Sequence, residues 1–153
     1  MKIEFRQAEL SDLDVVHAIT KGAYAKWLPA LGYAPYPTEE DHSLWIKKGQ
    51  ITLACEAGRT LGLIILELDK NPAYIVSIAV DPENIRKGVG RSLMAQAELS
   101  ARLEGKVAIK LYTNLLMESN IHLYESLGYH ECGRGEHPMR PGFTIVAMQK
   151  ELT

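Results

Sequence analysis

A glycine-containing segment between a strand-like run and a helix-like run constrains this chain more than any other feature. The apolar run AYIVSIAV (73–80) leads through DPENIRK into GVGRSLMAQAELSARLEG (88–105). Small and apolar residues recur on one stripe of the second run, as is typical of a helix with one buried face. They are Val89, Leu93, Ala97 and Ala101. Because KVAIKLYT (106–113) then reads as another strand, we predict a βαβ unit.

The first half of the chain predicts a strand, two helices and three further strands. A strand lies at 2–8, and a long helix at about 11–30 is expected to start at Ser11, with Asp14 in the usual place of a capping-box glutamate. Thr38 is expected to cap a short helix within 39–48. The strands at 51–57, 60–69 and 73–80 are joined by short junctions, which predict hairpins.

The second half completes an α+β fold. A short helix at 119–128 is expected to end at Gly128 in a left-handed conformation, and strands at 129–135 and 142–152 close the chain. The order β-α-α-β-β-β-α-β-α-β-β indicates one mixed, mostly antiparallel β-sheet flanked by helices. No linker interrupts it, so we expect residues 1–153 to form a single domain.

Composition and charge narrow the class of protein. The formal net charge of −2 argues against a nucleic-acid binder, since such proteins carry a basic surplus. Two cysteines, Cys55 and Cys132, are too few for a disulfide framework and predict a reduced, cytoplasmic protein. The N-terminal residues lack the apolar core of a signal peptide, and no run approaches the roughly 18 apolar residues of a membrane span. We therefore expect neither a nucleic acid nor a membrane as partner.

Gly88 and Gly90, with basic residues on both sides, indicate a phosphate-binding turn. The first amides of a helix have no intrahelical acceptor and carry partial positive charge, and glycine lets an anion approach the backbone closely. The segment lacks the GxxxxGK[ST] pattern of P-loops, and Leu93 stands where the dinucleotide fingerprint GxGxxG has its third glycine. Either the segment binds a diphosphate, or the two glycines only shape a tight turn.

Two blocks of the sequence resemble the GCN5-related N-acetyltransferase (GNAT) family. The stretch VDPENIRKGVGRSLM (80–94) resembles its coenzyme A loop, Q/R-x-x-G-x-G/A. Gly88 and Gly90 match the glycines, whereas Ile85 occupies the Q/R place and Arg86 follows it. The stretch LYTNLLMESNIHLYESLGY (111–129) resembles a later block in which Asn and Tyr on a short helix precede LG[FY]. The resemblance implies a GNAT-like fold.

The resemblance also implies acetyl-CoA as co-substrate, with no metal. The diphosphate would bind backbone amides of the glycine segment, and the pantetheine arm would run along the end of the preceding strand, where two strands separate. The cofactor-binding residues implied in this way are Ile78, Ala79, Val80, Arg86, Lys87, Gly88, Val89, Gly90, Arg91 and Asn120. The alternative for Asn120 is a helix residue that faces solvent.

Acetyl transfer to a primary amine by direct attack is the activity that the resemblance implies. Tyr124 matches the family's general acid, and a tyrosine is protonated at neutral pH; packing in the core is the alternative. A backbone N–H near Val80 would bind the oxyanion. Because the strand before the loop offers only Ser77 where some relatives carry a carboxylate, Glu67 is the candidate base. Otherwise Glu67 is a solvated strand residue and water removes the proton.

The acceptor is expected to be a small-molecule or peptide amine bound near the first helices and the last hairpin. Trp27, Tyr33 and Tyr36 could form an aromatic wall with a preference for cations, although Trp27 also continues the core stripe of the first helix. A non-catalytic acyl-CoA sensor of the same fold is the alternative to an enzyme, because Ile85 and Ser77 depart from the family's pattern. Dimers are common among relatives, so the resemblance is compatible with a homodimer.

Overall fold

The computed structural model describes residues 2–32, 41–85 and 87–152. In this part of the chain the strands are β1 (Glu4–Gln7), β2 (Ile51–Glu56), β3 (Arg59–Glu67), β4 (Ala73–Val80), β5 (Ala108–Asn114), β6 (His130–Glu136) and β7 (Thr144–Glu151). The α-helices are α1 (Leu13–Tyr24), α2 (Leu28–Leu31), α3 (His42–Lys47), α4 (Val89–Leu103) and α5 (Glu118–Ser126). Apart from the short helix α2, the order of elements is the one predicted from the sequence.

These strands form one mixed sheet in the order β1-β2-β3-β4-β5-β7-β6. β4 and β5 are parallel and are joined through α4, which confirms the βαβ unit. The other neighbouring pairs in this sheet are antiparallel. Gly128 follows α5 with a φ of 95°, so the left-handed end predicted for this helix is also confirmed. The predicted α+β architecture is therefore the observed one.

Helices cover both faces of the sheet, and each face has its own apolar cluster. On one face α4 packs with the stripe predicted from its periodicity against β3, β4 and β5. Leu93 in this stripe is completely buried, so its side chain alone contributes about 1.5–3 kcal/mol to folding. On the other face α1 packs with Val16 and Ile19 against Leu63 of β3. The site described below lies where α1, α4 and α5 meet the end of β4.

The prediction that the first helix starts at Ser11 is wrong. A 3₁₀ turn, Leu10–Asp12, precedes α1, and the Asp12 carboxylate closes a capping box by accepting a hydrogen bond from the Glu9 N–H at 2.8 Å. Arg6 on β1 donates to both oxygens of this carboxylate at 2.8 Å, which lowers the pKa of Asp12. The position of the turn thus depends on a partner from another element, which local sequence pattern does not reveal.

The predicted helix at 11–30 is also interrupted. α1 ends at Tyr24, a 3₁₀ turn covers Ala25–Trp27, and α2 begins at Leu28. Pro29 lies at the start of α2 and accounts for the break, because proline has no N–H to donate and its ring collides with the carbonyl group four residues earlier.

Helix α3 begins at His42 within the range predicted for the second helix. Its cap is Asp41, whose carboxylate accepts a hydrogen bond from the Ser43 N–H at 3.0 Å. The cap predicted at Thr38 lies outside the described residues.

A buried carboxylate ties α4 to the C-terminal part of the sheet. Glu98 is 6% exposed; one of its oxygens accepts a hydrogen bond from Lys150 Nζ at 2.8 Å and the other from the Tyr129 hydroxyl at 3.0 Å. Burial raises the pKa of Tyr129, so this phenol stays protonated and donates. The three side chains fix the end of α5 and strand β7 against α4.

Candidate functional site

Strands β4 and β5 separate near the end of the apolar run. Their parallel ladder ends with Ile75 opposite Leu111, whereas β4 itself runs on to Val80. At this point β4 carries one extra residue, Val76, because its two neighbours in sequence pair with consecutive residues of β3. A bulge bends its strand and increases the local twist. The last residues of β4 therefore border a gap between two strands that are neighbours elsewhere.

The edge of β4 presents backbone groups to this gap. The Asp81 N–H donates to the Leu61 carbonyl on the β3 side at 2.8 Å, and the backbone groups of successive strand residues point in alternate directions. The Val80 N–H and the Ile78 carbonyl therefore face away from β3, into the gap. In agreement, the Ile78 carbonyl accepts a hydrogen bond from the Tyr24 hydroxyl of α1 at 3.2 Å.

Helix α4 begins after this strand at a left-handed glycine. Gly88 is the N-cap with a φ of 78°, a conformation that costs glycine little because it has no Cβ. The N–H and the hydroxyl of Ser92 both donate to the Gly88 carbonyl, at 3.0 and 2.9 Å, and secure the turn. The amides of Val89, Gly90 and Arg91 open a helix of 15 residues. Such amides have no intrahelical acceptor and can bind an anion.

The loop between β4 and α4 turns one polar side chain inward. The Asp81 carboxylate accepts a hydrogen bond from the Glu83 N–H at 3.1 Å and starts a 3₁₀ turn. Asn84, at the end of this turn, is 3% exposed, and its Oδ1 accepts a hydrogen bond from Lys87 Nζ at 3.1 Å. Ile85 next to it is 45% exposed. The loop thus buries an amide, while the neighbouring apolar side chain stays exposed in the lining of the cavity described next.

A cavity of about 450 Å³ lies between α1, the end of β4, the start of α4 and helix α5. Its lining contains most of the residues predicted to bind a cofactor, namely Ile78, Ala79, Val80, Gly88, Val89, Gly90, Arg91 and Asn120. Lys87 does not line this cavity and bonds to Asn84 instead, while Arg86 lies outside the described residues. Residues from two separate sequence blocks therefore meet around one space.

A second cavity, of about 600 Å³, adjoins the first. It lies between α1, the first half of β4, the end of β5, and the end of β6 with the segment that follows it. Tyr24, Asn120 and Tyr124 line both cavities. The two spaces therefore meet at these side chains, beside the gap between β4 and β5.

Tyr124 on α5 is buried at this junction. It is 6% exposed, packs in the cluster beneath α4, and its ring lies 6.2 Å from that of Tyr129. Desolvation, with a smaller effect of Tyr24, raises the pKa of Tyr124, so the phenol is protonated at neutral pH. In residues 2–32, 41–85 and 87–152, no hydrogen bond engages its hydroxyl. It combines the packing role with a hydroxyl that is available to a ligand.

Tyr24 is a site residue that sequence reasoning did not find. Its hydroxyl lies 3.4 Å from Ser77 Oγ as well as 3.2 Å from the Ile78 carbonyl, and burial raises its pKa. The only local signal was its place near the end of the apolar stripe of α1. Its contact with β4 spans 54 positions of sequence, which no local pattern indicates.

Other predicted site residues lie elsewhere. Glu67 is 8% exposed at the end of β3, opposite Tyr74, and lines neither cavity, so the structure does not bring it to the site. The alternative prediction of a solvated Glu67 is wrong, because both faces of the sheet are covered there. Trp27 lines the first cavity rather than the second and carries Lys26 5.2 Å above its ring. Tyr33 and Tyr36 lie outside the described residues.

The described ranges contain neither a cluster of candidate metal ligands nor a helix suited to span a membrane. Over residues 2–32, 41–85 and 87–152, no group of three or more His, Cys, Asp or Glu side chains is placed to hold a metal ion. In the same ranges, no helix combines the length and the apolar character needed to cross a bilayer.

The fold is that of known acetyltransferase structures. The PaiA N-acetyltransferase of Thermoplasma acidophilum, solved with coenzyme A, is 20% identical, with a TM-score of 0.76 and 99% of each chain covered. The ribosomal-protein-S18-alanine N-acetyltransferase of Escherichia coli is 19% identical, with a TM-score of 0.74 over 99% of this chain and 95% of that one. A GCN5-related N-acetyltransferase of Rhodopseudomonas palustris is 20% identical, with a TM-score of 0.79 over 99% and 97%. The architecture is therefore that of the GNAT acetyltransferases.

The sequence itself also matches a family model. The acetyltransferase (GNAT) domain model matches residues 47–131, more than half of the chain. The chain therefore belongs to the GNAT acetyltransferase family. No curated protein matches it significantly.

Proposed function

We propose that this protein is an N-acetyltransferase that moves the acetyl group of acetyl-CoA to a primary amine by direct attack. The observation that carries the proposal is the meeting of two cavities at Tyr124, beside the edge of β4 and the first amides of α4. The first cavity has the backbone donors and acceptors that a diphosphate and an amide-containing arm can bond to. The second cavity would let the acceptor amine reach Tyr124 from another side.

Acetyl-CoA binds the first cavity in this proposal. Its diphosphate accepts hydrogen bonds from the amides of Val89, Gly90 and Arg91, where the helix dipole also favours negative charge. Its pantetheine amides pair with the edge of β4 that faces the gap, as an added strand would. The Val80 N–H, which points into the gap, then lies beside the thioester carbonyl and donates to the oxyanion.

Tyr124 is the proposed general acid. The neutral amine attacks the thioester carbon, a C–N bond forms, and the C–S bond breaks as the tetrahedral intermediate collapses. The leaving sulfur takes the proton of the Tyr124 hydroxyl, which its raised pKa keeps protonated. The attacking nitrogen loses one proton in the same step, and that proton restores the tyrosine through water. The products are an amide and coenzyme A thiol.

Water, rather than a dedicated carboxylate, is the proposed route for the amine proton. Glu67 does not line either cavity, and the Ser77 hydroxyl lies within hydrogen-bond distance of Tyr24, whose own pKa is raised. Neither hydroxyl is a strong base at neutral pH. The rate should therefore rise with pH as more of the acceptor amine becomes neutral.

The second cavity suits an amine on an apolar body. The rings of Tyr74 and Tyr112 meet edge to face at 5.7 Å in its wall. Among the described residues that line it, none is a lysine or arginine, and Glu136 contributes a carboxylate. A carboxylate on the acceptor would meet no lysine or arginine in this lining and would be repelled by Glu136. We therefore propose acceptors such as arylalkylamines over amino acids.

Release of free thiol from acetyl-CoA in the presence of an amine panel tests the activity. The panel contains phenethylamine and phenylalanine, which differ by one carboxylate, and a peptide with a free N-terminus. We expect thiol release with phenethylamine and about tenfold lower kcat/KM with phenylalanine, a factor that corresponds to about 1.4 kcal/mol. Saturable acetyl-CoA binding with no thiol release from any amine would instead identify a sensor.

Tyr124→Phe tests the role of the acid, with Tyr129→Phe as the matched control. Both changes remove one phenolic hydroxyl from neighbouring buried rings, but Tyr129 lines neither cavity. We expect Tyr124→Phe to lower kcat about 100-fold, with little change in the Kd of acetyl-CoA, and Tyr129→Phe to keep kcat. Equal losses of kcat and affinity in Tyr124→Phe would indicate a packing role.

A cytoplasmic location and a homodimer stay predictions. Cell fractionation checks the first, and size-exclusion chromatography with light scattering checks the second.

A further inference from the structure

Asn84 carries a buried amide whose donor is not used within the protein. Its Nδ2 has no hydrogen-bond partner among the residues that the structure describes, although the side chain is 97% buried. A buried donor without an acceptor destabilises the free protein, because the donor has lost its hydration without gaining a partner. The side chain lines the first cavity, between the end of β4 and the start of α4.

Lys87 fixes the orientation of this amide. An ammonium group is only a donor, so the Asn84 atom that lies 3.1 Å from Lys87 Nζ is the oxygen. The NH₂ group then points away from Lys87. With its oxygen held in this way, the amide keeps its two N–H donors on the side away from Lys87.

The neighbouring position carries no such donor. Ile85 is 45% exposed and has no polar atom on its side chain. The residue before it, Asn84, is the one that the 3₁₀ turn directs inward.

We propose that Asn84 Nδ2 donates a hydrogen bond to an oxygen of bound coenzyme A. This inference rests on the proposed binding of acetyl-CoA in the first cavity. The acceptor is a phosphate oxygen or a carbonyl or hydroxyl oxygen of the pantetheine arm. Each of these groups offers an oxygen that can accept the hydrogen bond from the Asn84 amide, which has no acceptor among the described residues of the free protein.

Asn84→Ala and Asn84→Asp test the proposal by calorimetry with coenzyme A, 4′-phosphopantetheine and pantetheine. Alanine removes the amide, and aspartate keeps its shape and its bond to Lys87 but removes the donor. We expect both variants to bind coenzyme A about 10- to 100-fold more weakly. The urea midpoint of Asn84→Ala should stay at or above that of the wild type, because the unpaired donor is gone; a purely structural amide would lower it.

The three ligands locate the contact. A loss with coenzyme A and phosphopantetheine but not with pantetheine assigns the bond to a phosphate, and a loss with all three assigns it to the arm. Wild-type affinity for coenzyme A in both folded variants would overturn the inference and leave the proposed function intact. A wild-type protein that does not bind coenzyme A would overturn the proposed function, and this inference with it.

Discussion

Gly88 and Gly90 stand two residues apart at the start of α4, yet substitutions at the two positions should disturb different properties. Gly88 has a φ of 78° and open space where a Cβ would lie. Gly88→Ala therefore meets no clash, but alanine in this left-handed conformation costs roughly 1–2 kcal/mol of folding free energy.

Gly90 is helical, and a Cβ there would lie 3.7 Å from Val80 Cγ2, an ordinary contact. Gly90→Ala should therefore fold normally and gain about 0.5–1 kcal/mol from the loss of backbone freedom in the unfolded chain. Gly90→Val adds two methyl groups beyond this Cβ. Val80 already occupies one side at contact distance, so at least one methyl group enters the cavity where the diphosphate would bind.

Urea unfolding followed by circular dichroism measures the stability, and calorimetry with coenzyme A measures the affinity. We expect Gly88→Ala to lose stability, and Gly90→Val to keep stability and lose affinity by about tenfold or more. Gly90→Ala is the matched control: it should keep the affinity and be about 0.5–1 kcal/mol more stable than the wild type. A folded Gly90→Val protein with wild-type affinity would refute the reasoning, because the first turn of α4 would then not contact the ligand.

Two further predictions concern stability. Glu98→Ala leaves the Tyr129 hydroxyl and Lys150 without their buried acceptor and should lower the unfolding free energy by about 3 kcal/mol. The exposed control Glu125→Ala should change the unfolding free energy by less than about 0.5 kcal/mol. Equal small effects of the two variants in urea unfolding would contradict a stabilising role of the buried carboxylate. The bonds from Arg6 lower the pKa of Asp12. Their contribution to the free energy of unfolding is therefore complete above about pH 5. It is lost as the pH falls through 3.8, the ordinary pKa of aspartate, toward the lower pKa of Asp12 in the folded state. The stability difference between wild type and Arg6→Met should therefore shrink in acid, and a difference that does not change with pH would contradict it.

Elements with strong local periodicity could be predicted from the sequence. The stripe of α4 is buried as its spacing indicates, and the short hairpin junctions give the antiparallel strands. The two family-like blocks meet around one cavity, although about 30 residues separate Gly90 from Asn120. These features depend on the residues themselves or on their near neighbours.

Features that depend on distant partners could not be predicted. The bulge at Val76 lies within a run of apolar residues that carries no local mark of it. Glu98 and Lys150 are 52 positions apart. Glu67 could be mistaken for a solvated residue because a charged side chain is seldom buried, but β3 is covered on both faces and its last residues are all buried. Tyr24 enters the site because α1 packs against β4, where its hydroxyl donates to the Ile78 carbonyl.

A crystal structure of the protein soaked with coenzyme A shows whether the first turn of α4 binds the cofactor. We expect diphosphate oxygens at about 3 Å from the amide nitrogens of Val89, Gly90 and Arg91, with the thiol end of the arm in the gap near Tyr124. Coenzyme A bound at another surface, with these three amides making no contact to it, would show that α4 does not form the cofactor site.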